Sequence, residues 1–246
     1  MTKPLLLLDG DIFLYEAANV TEFAMDYGSD VWVMSSNLGE AQELFTSQVQ
    51  GIKDKLETDR IVVCLSDVEN FRKELTDTYK SQRKSTRKPL IFPALRDWVK
   101  DEYKAVIRPK LEADDVMGIL ATEPNAKEQR IIVSSDKDMQ TIPGWLYRQG
   151  ELREVTVEEA RYYWLTQTLT GDATDGYKGC PGVGPVGAKK VLGTKPDYGA
   201  VEMTYIKAGL TRDDCLLNAR LARILRWENW DRETQTVKLW EPSHGV

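Results

Sequence analysis

The sequence predicts an α/β fold with a mainly parallel sheet, and two observations support that class. Several short runs of leucine or β-branched residues have the length of buried strands, and stretches with helical periodicity separate them. The chain has 246 residues, of which 41% are hydrophobic and 29% charged, which is typical of a globular protein with a sizeable core. We expect a core over residues 1–165 and a helical C-terminal part over residues 166–246.

Three of the strand-like segments end in acidic residues. They are "PLLLLDGD" (4–11), "DRIVVCLSD" (59–67) and "QRIIVSSDKD" (129–138), and "AVIRP" (105–109) is a weaker fourth candidate without an acid. Ligands of open α/β sheets bind at the carboxyl ends of the strands. We therefore expect the carboxylates that follow these strands to face one crevice.

Three segments between and after these strands are predicted to be helices. Residues 36–56 place apolar side chains at roughly helical spacing. In residues 155–169, Thr156 and Glu159 have the spacing of a capping box. Residues 211–227 form the last predicted helix, with Thr211 as its N-cap.

The composition excludes several classes of protein and site. No apolar run approaches the roughly 20 residues of a membrane span, and "PLLLL" is too short for a signal peptide, so we expect no membrane association. The three cysteines form no CxxC pattern, which favours reduced thiols and the cytoplasm. The only histidine, His244, lies two residues from the end, which argues against a Ser-His-Asp triad or a Cys/His zinc site. Any catalysis therefore depends on carboxylates.

Ten carboxylates fall into five short clusters along the chain. They are Asp9 and Asp11; Asp67; Glu112, Asp114 and Asp115; Asp136 and Asp138; and Asp172 and Asp175. Any one cluster alone is more typical of a helix N-cap or a turn. Together, converging carboxylates would repel one another unless cations neutralised them, and oxygen ligands without histidine or cysteine select Mg²⁺ or Mn²⁺. Two such ions are the usual machinery for attack on a phosphodiester.

The net charge of −6 disfavours a nucleic-acid partner only if the acids carry no cations. Two divalent ions would add four positive charges and bring the net charge to about −2. One stretch, residues 71–88, is strongly basic. Its cations follow helical spacing and predict one basic helix face that Pro89 would end: Lys80, Arg83, Lys84, Arg87 and Lys88. The face is either an ordinary solvated surface or an element that grips phosphates.

Residues 171–190, "GDATDGYKGCPGVGPVGAKK", combine two aspartates, six glycines and a closing pair of lysines. Glycine lets the backbone approach a phosphate closely. Lys189 and Lys190 are expected at the start of the next helix, where the helix dipole favours anions. An ordinary glycine-rich turn with a solvent-facing lysine pair is the alternative.

The order of these motifs resembles the 5′-nuclease (flap endonuclease) superfamily, and within it the stand-alone 5′→3′ exonucleases of short-tailed bacteriophages. The motifs span residues 9–190: "DGD", "SD", "FRKEL…YKSQRK", "LEADD", "SSDKD" and the glycine-rich stretch. The resemblance implies a PIN-like fold with a mixed, mainly parallel sheet flanked by helices. It also implies a helical arch over residues 70–100 and a helix–three-turn–helix that binds duplex DNA at about residues 170–193.

The resemblance also implies roles for individual residues. Asp9, Asp67, Glu112, Asp114 and Asp115 match the first metal site and its surroundings, and Asp136, Asp138, Asp172 and Asp175 match the second. Lys80 and Arg83 match the catalytic basic pair of the arch. DNA contacts are expected from Arg72, Tyr79, Lys84, Gly182, Gly184, Gly187, Lys189 and Lys190. Asp11 departs from the small polar residue common in the family and is kept as a further candidate ligand. The stretch from Lys80 to Glu112 is short for a full arch.

The activity implied is a 5′→3′ exonuclease, or structure-specific 5′ nuclease, with two Mg²⁺ or Mn²⁺ ions and a K⁺ ion at residues 182–187. The expected partners are double-stranded DNA with 5′ ends, nicks or flaps, and RNA–DNA hybrids, bound by a monomer in the host cytoplasm. Two alternatives stay open at this point. A haloacid-dehalogenase-like phosphatase shares "LDGD" and "GDATD" but leaves "LEADD", the basic stretch and the glycines unexplained. A non-catalytic DNA-binding relative should have lost ligands, yet every matched position is present.

Overall fold

A computed structural model describes residues 3–82 and 87–242 of the chain. Its central sheet contains five strands in the order β4-β1-β5-β6-β7. The strands of the molecule are β1 (Leu5–Asp9), β2 (Glu22–Asp26), β3 (Trp32–Ser36), β4 (Ile61–Cys64), β5 (Arg130–Val133), β6 (Gly144–Arg148), β7 (Glu151–Val155), β8 (Trp230–Asp231) and β9 (Thr236–Val237). The helices are α1 (Gly10–Val20), α2 (Leu38–Lys55), α3 (Arg72–Leu75), α4 (Phe92–Glu102), α5 (Ala113–Ala121), α6 (Val157–Thr170), α7 (Pro185–Leu192), α8 (Tyr198–Lys207) and α9 (Arg212–Ala222).

The sheet is mixed and mainly parallel, as predicted. β1 pairs in parallel with both β4 and β5, β5 pairs in parallel with β6, and only the edge strand β7 is antiparallel. The central position of β1 explains its unbroken leucine run, because a strand covered on both faces has no solvent side on which to place polar residues. Its side chains from Leu6 to Leu8 are fully buried.

Three of the four predicted strands are confirmed, and the fourth is wrong. Residues 105–109 contribute a single parallel bridge, between Val106 and Cys64, in place of a strand. Pro109 has no N–H with which to extend a hydrogen-bonded ladder. Strands β6 and β7 and the separate β2–β3 hairpin were not predicted. The hairpin is solvent-exposed along most of its length.

The three predicted helices are confirmed as α2, α6 and α9, with the capping box of Thr156 and Glu159 and the N-cap Thr211 in place. The predicted basic helix face over residues 71–88 is wrong in its described part. α3 ends at Leu75, and Lys80 has a left-handed backbone with φ of +50°. The Lys80 amide donates to the carbonyl of Asp175 at 2.8 Å, which replaces a helical bond. Arg83 and Lys84 lie outside the described residues.

Hydrophobic clusters cover both faces of the sheet, and a third cluster joins α6 to the C-terminal helices. The expected boundary near residue 166 falls within α6, which has no break there. Ala160 packs in a sheet cluster, whereas Trp164 packs in the C-terminal one and donates its indole N–H to the carbonyl of Ala219 at 2.8 Å. One helix therefore fixes the C-terminal part relative to the sheet. Within the described ranges, no helix has the length and apolar character needed to cross a membrane.

Candidate active site

A cavity of about 290 Å³ opens at the carboxyl edge of the sheet, where the ends of five segments meet. The segments are the end of β1, the first turns of α1 and α5, the residues after β5, and the loop after α6. The acidic residues that line this cavity, called here the acidic cavity, are Asp9, Asp11, Glu112, Asp114, Asp136, Asp138, Asp172 and Asp175. The prediction that acids from separate clusters share one crevice is therefore confirmed for these eight.

The first pair of acids is positioned by the tight junction between β1 and α1. Asp9 caps α1 by accepting from the Ile12 amide, and its other oxygen accepts from the Ser134 hydroxyl at 2.6 Å. A Cβ at Gly10 would lie 2.7 Å from the Cys64 carbonyl, so only glycine lets α1 start this close to β4. Asp11 accepts from the Ser66 amide at 3.1 Å, which draws its carboxylate into the cavity.

The start of α5 supplies the next two acids. Glu112 is the N-cap of α5 and forms a capping box with Asp115. Its side chain also accepts from the Lys80 ammonium at 2.5 Å and from the Tyr79 hydroxyl at 2.8 Å. Asp114 follows in the first turn of α5 and, among the described residues, makes no hydrogen bond or ion pair. Its carboxylate is thus directed at the cavity without a protein partner.

The residues after β5 and after α6 complete the set. Asp136 caps a short 3₁₀ helix (Lys137–Thr141), and Asp138 accepts from the side-chain amide of Gln167 at 2.7 Å. Asp172 accepts from the Thr174 amide at 2.7 Å and so holds its own turn together. Asp136 and Asp172 thus act as an N-cap and as a turn former, the roles that their local sequence alone predicts. They also line the acidic cavity.

Three glycines shape the loop after α6 and bring it against the segment that carries Lys80. Gly171 and Gly179 have positive φ angles and pack backbone to backbone, so a Cβ at either would lie within 2.6 Å of main-chain atoms. A Cβ at Gly176 would lie 2.4 Å from the Thr78 carbonyl. The glycines therefore allow the Asp172–Asp175 turn to pack against the segment that carries Lys80.

Burial and mutual repulsion raise the pKa of several of these carboxyl groups. Burial is the main cause of a rise in the pKa of Asp9 to about 7, and Asp11 and Asp136 add to it. Burial, followed by the neighbouring Asp136, likewise raises the pKa of Asp138 to about 6. The pKa of Asp114 is raised well above its ordinary value, again mainly by burial and then by Asp9 and Asp136. A bound cation would offset this cost of charging.

Two lysines already neutralise the other side of the cavity. Burial would raise the pKa of Glu112, but the charges of Lys80 and Arg72 outweigh it and lower the pKa to about 2. The Lys80 ammonium also lies 3.7 Å from Asp175. Lys137, which the sequence analysis did not single out, lies 3.3 Å from Asp172. The cavity therefore contains an uncompensated half around Asp9 and Asp114 and a compensated half around Glu112 and Asp172.

The donor set suits a hard divalent cation, since every acidic group at the cavity offers carboxylate oxygens and no histidine or thiolate lines it. In residues 3–82 and 87–242, no three Asp, Glu, His or Cys side chains are arranged to enclose an ion. The carboxylates instead make the protein contacts given above. Asp114 lacks such a contact, and the Asp9 carboxyl has a pKa that a cation would lower. These two groups are the best-fitting donors.

Two predicted metal ligands lie elsewhere. Asp67 does not line the acidic cavity: its carboxylate accepts from the amides of Val68 and Lys110, both at 2.8 Å. The two residues that follow β4 carry the chain past the sheet edge, so that Ser66 reaches the cavity instead. Asp115 is fully buried, which leaves it no access to an ion in the cavity. Asp67 lines an adjoining groove instead of the acidic cavity, and Asp115 has a structural role.

Two predicted DNA contacts are also corrected by burial. Arg72 is 2% exposed and pairs with both oxygens of Asp115, at 2.7 and 2.8 Å. It also donates to the carbonyls of Leu221 and Arg223, so its guanidinium joins α3 to α5 and α9 and has no surface left for DNA. Tyr79 is 3% exposed, and its hydroxyl donates to Glu112 and lies 3.2 Å from Asp175. Tyr79 therefore orients carboxylates of the cavity.

A second groove of about 720 Å³ adjoins the acidic cavity and shares Asp11, Ser66, Lys80 and Glu112 with it. We call it the basic groove after its four cations, although four carboxylates also line it: Asp11, Asp67, Asp97 and Glu112. Its cations are Lys73, Lys80, Lys88 and Arg96. Arg96, on α4, was missed by the sequence analysis because an isolated arginine in an amphipathic helix carries no distinctive pattern. It donates to the Ser66 carbonyl, which directs the guanidinium into this groove.

The glycine turn at residues 182–187 lies at the surface of the protein. An element that contacts DNA must be exposed in this way. Gly182 has φ of +74°, Gly184 is the N-cap of α7 with Pro185 as the first helical residue, and no atom lies within 4 Å of a Cβ at either glycine. Gly187 lies in the first turn of α7. Lys189 and Lys190 are exposed but lie in the last turn of α7, so the expected contribution of the helix dipole is wrong for them.

Known proteins resemble this chain in sequence. The family described as "5′-3′ exonuclease, N-terminal resolvase-like domain" matches residues 4–157. An exodeoxyribonuclease of Enterobacteria phage T3 is 29% identical over 98% of this chain and 93% of its own length. The flap endonuclease Xni of Shewanella woodyi is 30% identical over 65% of this chain and 71% of its own length.

A solved structure shows the same fold. It is the bacteriophage T5 5′-exonuclease with divalent zinc ions bound, which matches with a TM-score of 0.63 and 15% identity over 89% of each chain. The mixed sheet and the C-terminal helices therefore belong to one shared architecture.

Proposed function

Because this chain belongs to the 5′-3′ exonuclease family and is a 5′ nuclease of that kind, we propose that it hydrolyses phosphodiester bonds near the 5′ ends of duplex DNA. Its substrates would be double-stranded DNA with 5′ ends, nicks or flaps, and RNA–DNA hybrids. The acidic cavity is the proposed reaction centre. The observation that carries the proposal is the meeting of eight carboxylates beside a basic groove, within a fold shared with a 5′-exonuclease.

We propose that two Mg²⁺ ions are bound in the cavity, one by Asp9 and Asp114 and the other by Asp136 and Asp138, with Asp172 and Asp175 nearby. When bound, such ions polarise the phosphoryl oxygen and lower the pKa of a bound water. The chain's own contribution is to fix the donors: Ser134 orients Asp9, and Gln167 orients Asp138.

Lys80 is proposed to bind the phosphate that reacts. Its ammonium lies at the boundary between the acidic cavity and the basic groove, which it lines together with Glu112. The left-handed backbone at Lys80 and the hydrogen bond that its backbone N–H donates to the Asp175 carbonyl fix the side chain at this position. Arg83, the other member of the predicted catalytic pair, lies outside the described residues, so its role stays a prediction. Arg96 and Lys88 would hold the strand on the far side of Lys80.

The duplex is proposed to contact the exposed turn at residues 182–187 and the lysine pair of α7. Glycine at 182 and 184 leaves the backbone open to solvent, where a phosphate or a K⁺ ion can approach it. Lys189 and Lys190 add positive charge on the same helix. These contacts lie in the C-terminal part and would position the duplex without taking part in the reaction.

The test is digestion of a 5′-labelled duplex by the wild-type protein and by Asp9→Asn and Asp136→Asn, with Mg²⁺ and with EDTA. We expect loss of a ligand charge to cost several kcal/mol of transition-state stabilisation, or about a thousandfold in rate, while duplex binding survives. Asp59→Asn removes an exposed carboxylate remote from the cavity and serves as the control. Near-normal turnover in both cavity variants would contradict the proposal. A chromogenic phosphate monoester tests the phosphatase alternative in the same assay.

A further inference from the structure

A second cavity, of about 550 Å³, lies between α6, α8 and the C-terminal segment, which here means residues 212–242 from the start of α9 onward. We call it the arginine cavity, because four arginines and only two carboxylates line it: Arg161, Arg212, Arg223 and Arg226, with Asp197 and Glu202. Among the described residues, it shares no lining residue with the acidic cavity. The proposed nuclease function gives it no role.

Two of these arginines are incompletely paired, one of them buried and the other partly buried. Arg223 is 6% exposed; it stacks over the Trp164 ring and donates through Nε and Nη2 to Asn229 and Glu228. Its Nη1 has no hydrogen-bond partner within residues 3–82 and 87–242. Arg226 donates one Nη to the Thr141 carbonyl, but its buried Nε has no partner in the same part of the chain. The buried Nε of Arg226 costs free energy while it is unpaired, and an anion within its reach would recover that cost. The Nη1 of Arg223 is not among the buried unpaired atoms and is open to the cavity or to solvent.

The arginines also repel one another. Burial, and then the charge of Arg226, lowers the pKa of Arg223 to about 10, and Arg161 contributes in the same direction. Arg161 pairs with Asp197 at 3.9 Å, Arg212 with Glu202 at 3.7 Å, and Arg223 with Glu228 at 3.0 Å. Arg226 has no carboxylate partner among the described residues, and the four lining arginines outnumber the two lining carboxylates. Clustered guanidinium groups therefore face the cavity with an excess of positive charge.

We propose that the arginine cavity binds the phosphate group of a nucleotide. Guanidinium groups match phosphate oxygens in fork geometry, and the first residues of α6 and α8 line the same cavity, so both helix dipoles favour an anion there. Trp240 forms a partly exposed aromatic wall, braced edge-on by Trp164 at 4.8 Å and Tyr198 at 4.9 Å. Such a ring offers a surface on which a base stacks. The phosphate could belong to a free mononucleotide or to a single strand.

The experiment is isothermal titration calorimetry of the whole chain in EDTA. EDTA removes divalent ions, which could otherwise bind a nucleotide at the acidic cavity. The probes are dAMP, inorganic phosphate, deoxyadenosine and a short single-stranded oligonucleotide. We expect dAMP and phosphate to bind and deoxyadenosine to fail. Arg161→Gln should weaken dAMP binding about tenfold, as expected for loss of a charge-assisted contact. Lys207→Gln removes an exposed charge at the other end of α8 and should change the affinity by less than about twofold.

A melting curve of each variant separates lost binding from lost folding, and Arg212→Gln gives a second variant on a more exposed side chain. Binding of the oligonucleotide alone, lost in Arg161→Gln, would assign the phosphate to a strand and support the site. Equal affinity for deoxyadenosine and dAMP, or equal weakening by Lys207→Gln, would overturn it. The readout does not use nuclease activity, so failure here leaves the proposed function standing.

Discussion

At the scale of single residues, the role of a cation depends more on its position beside the acidic cavity than on its residue type. Lys80 and Lys73 both line the basic groove, yet only Lys80 also lines the acidic cavity. Its Nζ lies 2.5 Å from Glu112, and although burial opposes it, the charges of Glu112 and Asp175 raise the pKa of Lys80. Lys80 therefore stays charged and is placed where negative charge develops on a reacting phosphate.

We expect Lys80→Ala to lower kcat by about 10²-fold to 10³-fold, the usual cost of losing one donor to developing charge, with a smaller effect on KM. Steady-state kinetics on a 5′-labelled duplex measure both constants. Lys73→Ala removes an exposed cation from the same groove and should change mainly KM. If Lys80→Ala raises only KM, Lys80 binds the ground state and has no part in the chemical step.

At the scale of elements, short contacts hold the helices that carry the site. The buried guanidinium of Arg72 connects α3 to Asp115 at the start of α5 and to the carbonyls of Leu221 and Arg223 at the end of α9. The same turn of α5 carries Glu112 and Asp114, so this ion pair fixes the direction of two cavity acids. α7, by contrast, presents its lysines at the surface.

Arg72→Ala should destabilise the protein by about 3–5 kcal/mol, because it leaves the buried Asp115 without its counter-ion, with only the amides of Glu112 and Leu225 as donors. Lys73→Ala, one residue along and exposed, should cost well under 1 kcal/mol, about what a surface change costs. Urea unfolding followed by circular dichroism gives both free energies. Similar values for the two variants would mean that the buried pair does not hold α3 against α5 and α9.

The double variant Lys189→Ala and Lys190→Ala should raise KM and leave kcat nearly unchanged, since these lysines line neither the acidic cavity nor the basic groove. Their contacts with the duplex would be equally strong in the ground state and in the transition state. Equilibrium binding in Ca²⁺ across a salt series should lose a slope of about 0.9 for each phosphate contact removed. Lys207→Ala on α8 is the matched control. An effect on kcat alone would place the reacting phosphate at α7, and the proposed path of the duplex would then be reversed.

At the scale of the whole molecule, the acidic cavity links stability to pH and to metal. Asp9 has a pKa of about 7 in the folded protein, against an ordinary value near 3.8, so the folded state holds its proton to higher pH than the unfolded chain does. Between about pH 4 and pH 7 the unfolded state is the more ionised one, and the free energy of unfolding falls as pH rises. Asp138, with a pKa of about 6, acts in the same direction.

In EDTA, the free energy of unfolding should therefore decrease from pH 5 to pH 7, by up to about 1.4 kcal/mol per pH unit for each group that titrates. Glu112, with a pKa of about 2, contributes the opposite slope only below about pH 4.5. Millimolar Mg²⁺ should raise the melting temperature at pH 7 by binding the folded state, whereas NaCl at equal ionic strength should not. Asp9→Asn should flatten the pH dependence. A profile that is flat in the wild-type protein would contradict the buried-acid arrangement.

Three of the five sheet strands and three helices were predictable because hydrophobic periodicity and capping residues are local properties. β1, β4 and β5 follow from apolar runs, and α6 from the spacing of Thr156 and Glu159. β6 and β7 were not predictable in this way, since Trp145, Tyr147 and the alternating charges of residues 151–155 give no continuous apolar run.

The sequence by itself determined the chemistry of the candidate site. Acids after strands, without histidine or paired cysteines, indicate oxygen ligands and a hard cation, and the order of the motifs indicates the family. These conclusions need only residue types and spacing, and eight of the ten acids do meet at one cavity.

Only the tertiary structure decided which charged residues face that cavity. Asp114 and Asp115 are adjacent in sequence, but the helix turns one into the cavity and the other onto Arg72. Lys80 departs from the predicted helix because its backbone N–H donates a hydrogen bond to the carbonyl of Asp175, which lies 95 positions further along the chain. The arginine cavity likewise assembles side chains from α6, α8 and the C-terminal segment. The direction in which each of these side chains points depends on packing between residues far apart in the chain, which composition and local periodicity do not reveal.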